Sequence, residues 1–352
     1  MPSVLPDCAG GHIVELLISY CLAHHLTNTL CVLFRSNQTG HLEVCPRLST
    51  AMMEKRLFWR EFWLLWSAGA ITSAIFAGLV RIPTTPVAAI LLLRGHSQKP
   101  LLVGTEATEI TVELAIAVSC GLLAAHRIGL GAPIVEKWLC GEPIKSQVRP
   151  LLVPSLVVGI LLAVISMLPN LSVFHPNRQM ASHEAERISE SPDGAKLAEK
   201  LGRFVDERPL TLTSLTVSWL NTAIRVELIS RLFLLSIIAL IFAKITGSPP
   251  GTASNRVLFS AVLGVAVIGA IADVAWRSAT TKMIFSSFGV INIVHDSFWL
   301  VSARALLRTI PGAVGFGWLY VRRGIESAIV SAFVVSVFAH LLFVVLVAVR
   351  LV

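Results

Sequence analysis

From residue 58 onward the chain is dominated by long apolar runs, each closed by a short polar or basic stretch. A helix needs roughly 20 apolar residues to cross the hydrocarbon core of a bilayer. Measured against that length, the candidate spans are Phe58–Val80, Ile110–Ala125, Leu151–Leu168, Val226–Ile245, Val257–Trp276, Ile284–Val301, Ala303–Tyr320 and Ile325–Val352. The pattern predicts an all-α polytopic transmembrane bundle of about eight spans. Thr211–Ile224 is apolar but short, and reads as a re-entrant or interfacial helix. Between Pro169 and Pro209 the chain turns polar, with helix-forming stretches Glu184–Ser191 and Ala195–Val205 broken by Pro192-Asp193-Gly194. Residues 169–209 are therefore expected to form an extramembrane connection rather than a binding module.

Composition supports the membrane reading. Of the 352 residues 55% are hydrophobic and 14% charged, whereas a soluble domain carries about 25% charged residues. The net charge of +8 would point to nucleic acid in a soluble protein. Here the basic residues flank apolar runs, as in Met53–Arg60, His126–Arg127 and Arg322–Arg323, which suits topology signals and anionic lipid headgroups. No basic stripe interleaved with aromatics is present, so a nucleic-acid partner is set aside. Basic residues before Phe58 place that end in the cytoplasm, and the basic loop His126–Arg149 agrees.

Residues 1–51 differ from the rest. They hold Cys8, Cys21, Cys31 and Cys45, the polar stretch Arg35–Pro46 and one moderately apolar run, His12–Phe34. They lack the basic start of a signal peptide and read as an extension, of the kind an upstream start codon would add. Residues 52–352 then form the membrane domain, opening on a basic, aromatic interfacial segment of bacterial plasma-membrane type. The remaining cysteines are Cys120 and Cys140; with no CxxC pair anywhere, neither a disulfide framework nor a zinc ribbon is indicated.

The chemistry of most interest lies in Val226–Lys244, where Glu227 and Arg231 interrupt an otherwise lipid-soluble run. Four residues is about one helical turn, so the two charges share a face. An ionisable group at membrane depth costs about 2.5–3.5 kcal/mol on insertion scales and normally faces protein or a wet cavity. A structural pair tying helices together and a functional role are both open for it.

Val226–Leu235 resembles the first motif of the CPBP intramembrane proteases (the CAAX-protease and bacteriocin-processing, or Abi, family), which reads Glu-Glu-x-x-x-Arg before an apolar helix. Gly317-Trp318-Leu319-Tyr320, running on to Ala328, is similar to the segment before the family's last catalytic helix. Ala125–Gly141 resembles a loop of its bacterial members, so the likeness extends from about Met53 to the C-terminus. The resemblance implies an intramembrane endopeptidase fold, in which the first motif glutamate and a histidine from another helix activate water. A prenylated CAAX protein or a membrane peptide would be the substrate.

Several family positions are changed. Val226 stands at the first glutamate, leaving Glu227; Val267 stands at the second-motif histidine; Ala332 and Ser336 stand at the histidine and Asn/Asp of the third motif. Valine can neither bind a metal nor shuttle a proton. The expectation is a catalytically impaired relative, a pseudoenzyme, that binds a membrane peptide or partner protein. The competing expectation is a working hydrolase with a rebuilt site. Glu227, His295 and His340 would then form a His₂Glu set of the kind zinc accepts. His340 lies eight residues beyond Ala332, about 12 Å further along a helix, so it is no simple replacement.

Weaker signals have plainer readings. Gly312, Gly315 and Gly317 lack the strand and Lys-Ser/Thr of a phosphate loop and fit close helix packing. Cys21, His24 and His25 lack a second ligand pair, and the sequons at Asn37 and Asn170 matter only in a secretory membrane.

Overall fold

The computed structural model describes residues 51–79, 99–172, 211–249, 251, 253–287 and 298–348. Among them every regular element is helical: α1 (Ala51–Leu79), α2 (Lys99–Ile128), α3 (Pro133–Leu139), α4 (Lys145–Ser172), α5 (Leu212–Glu227), a π-helical segment (Leu228–Leu235), α6 (Ser236–Ile245), α7 (Asn255–Ser287), α8 (Phe298–Arg323) and α9 (Ile325–Ala348). Among the described residues, six helical stretches are long and apolar enough to cross a bilayer, the makeup of an integral membrane protein. They are Arg56–Leu79, Val103–Ile128, Lys145–Met167, Leu212–Ile245, Asn255–Ala275 and Ile325–Leu346. α8 is long enough but is not among the six, because Arg304, Arg308 and Pro311 interrupt its apolar run. Much of the expected span Ile284–Val301 lies outside the described residues.

The structure corrects one expectation. Thr211–Ile224 is not a separate re-entrant piece, because α5 passes straight into the π segment and α6, giving one helical run of 34 residues. Thr211 caps its start, its side chain accepting from the Ser214 amide. At 1.5 Å per residue the run is about 50 Å long, so it must tilt or project beyond a core of about 30 Å.

Lipid-facing and protein-facing sides are distinguished by side-chain size. Ile71, Ile75, Val157, Leu161, Phe259, Ile271 and Val344 all point outward, a surface fit for acyl chains rather than water. Inside, small residues let backbones approach, as expected where no hydrophobic force operates between helices in lipid. α4 packs on α9 at Gly159, where an added Cβ would sit 2.7 Å from Val334 Cγ1 and 3.0 Å from the Ser331 carbonyl. One turn earlier, Ser155 and Ser327 hydroxyls hydrogen-bond at 2.8 Å. α2 meets the π segment at Gly121, whose Cβ would lie 2.6 Å from the Leu232 carbonyl oxygen. Gly315 and Gly317 serve packing likewise, facing Leu162 and Val262. Buried polar links add register: Ser73 donates to Asn221 Oδ1 at 2.7 Å, and Ser236 pairs with the Tyr320 hydroxyl at 2.7 Å.

Candidate functional site

The π segment begins directly after Glu227 and carries Ser230 and Arg231. π turns break the usual i→i−4 ladder and occur frequently at functional sites. Here the Ser230 hydroxyl donates to the Val226 carbonyl one turn back, giving that carbonyl a side-chain donor. The segment aims Glu227 and Arg231 inward, leaving them only 1% and 6% exposed.

Both line a cavity of about 760 Å³ walled by α4, α5, the π segment, α7, α8 and α9. Arg231 is the organising cation. Its Nε stands 3.4 Å from Glu227 Oε2, one guanidinium nitrogen donates to the Gly312 carbonyl at 3.3 Å, and its Cζ lies 5.5 Å above the Phe316 ring. The Nε–Oε2 contact lacks hydrogen-bond alignment, so it is Coulombic, and both atoms are buried without a hydrogen-bond partner. The pair is thus electrically matched but retains donor and acceptor capacity beside an apolar hollow. Such a site can take a ligand that offers both a hydrogen-bond donor and an acceptor beside apolar surface.

The other predicted positions divide. His340 lines the same cavity as Glu227, tilted against Trp219 at 5.3 Å between ring centroids. Ser336 also lines it, its hydroxyl donating to the Ala332 carbonyl at 3.0 Å, while Ala332 itself is buried in the α9 packing. Val226 is half-exposed at the cavity edge. Val267 points outward, 54% exposed on α7, and is not a wall residue. His295 lies outside the described residues.

Sequence reasoning missed a second polar centre. Glu61 on α1, His126 on α2 and Glu136 on α3 converge, with Glu61 Oε2 3.0 Å and Glu136 Oε1 3.9 Å from His126 Nε2. Burial, then the neighbouring Glu61 carboxylate, pushes the Glu136 carboxyl above its ordinary value, against the opposing pull of His126 and a backbone hydrogen bond. A glutamate within the aromatic opening of α1 was the available signal, but its partners are 65 and 75 positions away. Contact between the start of α1 and the end of α2 also puts Arg56, Arg60 and Arg127 at one end of the bundle, as basic flanks on one membrane side require.

Set against models of known families, characterised proteins and solved structures, the chain finds no match.

Proposed function

We infer that this integral membrane protein is of CPBP type, resides in a bacterial plasma membrane, and uses its cavity to hold a membrane peptide or a partner's membrane segment rather than to hydrolyse it. One observation carries the reading: a buried carboxylate–guanidinium pair with unused hydrogen-bonding atoms opens onto an apolar cavity of about 760 Å³. Peptide hydrolysis needs an activated water and a stabilised oxyanion. Val226, Val267 and Ala332 supply neither base nor ligand. Glu227 and Arg231 remain to bind and orient a peptide bond, Arg231 offering N–H groups and Glu227 an acceptor.

The decisive assay offers the purified full chain a fluorescent, prenylated CAAX peptide. Binding without cleavage is expected, weakened about tenfold or more when Ser336→Phe fills the cavity, as pocket occlusion removes contacts that ordinarily dominate affinity. No binding by the parent sinks the reading.

A second reading is favoured by His340 sharing the cavity with Glu227. It is an active endopeptidase in which Glu227, His340 and His295 would hold zinc, and the ion would supply polarisation of a water. Cleavage of the same peptide, abolished in Glu227→Gln and His340→Ala, would establish it in place of the first.

A further inference from the structure

We propose that Glu61, His126 and Glu136 form a site for one zinc ion, separate from the cavity and fastening α1, α2 and α3 together at one end of the bundle. The three ligand atoms all lie within 4.8 Å of one another. Four-coordinate zinc with bonds of about 2.1 Å has ligand–ligand edges of about 3.4 Å. The observed 3.0 Å and 3.9 Å separations at His126 Nε2 straddle that edge, so closure about an ion needs only small side-chain movements.

Charge and burial point the same way. Glu61 is 0% exposed, and while its Oε2 meets His126, its Oε1 is buried without a hydrogen-bond partner. A lone imidazolium between the two glutamates would leave that oxygen buried and unserved, a desolvation penalty with nothing to offset it. A divalent cation taken up through Glu61 Oε2 would match two carboxylates at once, and a water on its fourth position would have Oε1 as an acceptor. One imidazole with two carboxylates is a borderline N/O set acceptable to zinc, with a fourth position left for water.

The surroundings are built to hold this geometry. Gly131 faces Glu136, and a Cβ there would come within 2.7 Å of its Oε1. Glu326 accepts from the Ile134 and Val135 amides at 2.8 and 3.0 Å, anchoring the start of the helix that carries Glu136. The His126 and Glu136 side chains are 29% and 26% exposed, which gives an ion a route in. None of the three lines the cavity between the helices, so the role is structural rather than hydrolytic.

The test is zinc binding by the tag-free full chain in detergent, after chelator treatment and dialysis, read as metal content and as a melting-temperature shift on adding zinc chloride. One tightly held zinc per chain and an upward shift are expected. His126→Gln and Glu136→Gln, both at partly exposed positions, should each weaken zinc binding by about tenfold or more and shrink the shift. Glu142→Gln, at an exposed carboxylate just past α3 that belongs to neither site, should leave both readouts unchanged. A parent that binds no zinc, or variants that bind it as the parent does, would overturn the proposal.

Discussion

Glu326, in the first turn of α9, accepts the backbone N–H of Ile134 at the start of α3, a bond of 2.8 Å between residues 192 positions apart. The same oxygen takes the Val135 amide at 3.0 Å, so a side chain from one helix caps another. Replacing it tests the anchor. Glu326→Ala should cost about 0.5–2 kcal/mol, the usual worth of a helix cap, and expose the loop between α2 and α4 to protease. Glu326→Gln, which keeps an acceptor oxygen, should lose much less. Limited proteolysis and thermal unfolding of the pair decide.

Gly324 lies just before that glutamate at φ +91°, and an added Cβ would fall 2.2 Å from Pro133 Cδ. Gly324→Ala therefore meets both backbone strain and a collision with a rigid ring. Its loss should exceed the about 1–2 kcal/mol ordinarily charged to a left-handed non-glycine residue, and its melting point should fall below that of Glu326→Ala.

The Glu227–Arg231 pair calls for a double-mutant cycle. Removing one partner of a buried pair leaves an uncompensated charge, at a cost of about 3–5 kcal/mol. Arg231→Met alone should thus be strongly destabilising. Glu227→Gln combined with Arg231→Met should recover part of the loss. Simple additivity in denaturant unfolding would show that the two side chains do not act as a unit.

At the α4–α9 seam, Gly159→Leu should force the helices apart, since even one carbon would press on Val334 and the Ser331 carbonyl. Overpacking costs about 1–3 kcal/mol. Cysteines introduced at positions 155 and 327, replacing the hydrogen-bonded serines one turn away, should cross-link readily in the parent and poorly in the Gly159→Leu background.

Ser73 and Asn221 join α1 to α5 through a fully buried bond of 2.7 Å. Hydrogen bonds between membrane helices average about 0.6 kcal/mol and reach about 1.7. Ser73→Ala should fall toward the upper figure, because it strands the Asn221 amide. A loss below the detection limit of equilibrium unfolding would show that Asn221 finds another partner.

Much of this architecture was legible because hydrophobic length is a one-dimensional quantity. The apolar stretches later seen in α1, α2, α4, α6, α7 and α9 stand out in the sequence without any knowledge of neighbours. Burial of Glu227 and Arg231 was legible for the same reason, since charges inside such a run must face protein. What stayed hidden depends on placement in space. The continuity of Leu212–Ile245 was obscured by Asn221, Arg225 and Glu227, which lower hydropathy locally yet each find a protein partner or a buried site. The Glu61–His126–Glu136 centre was hidden because its members look like ordinary interfacial residues until three separate helices bring them together.

The widened turn at Leu228–Leu235 sets the phase of the long crossing helix. In a uniform α-helix each residue advances the rotation by roughly 100°, so the azimuth of Ser236 would be dictated by that of Glu227. Local unwinding decouples the two halves: one can present its acid to the hollow while the other keeps its hydroxyl on Tyr320. Deleting a single residue there should therefore swing one of these two side chains out of alignment while leaving the amino-acid content of the pocket wall nearly intact.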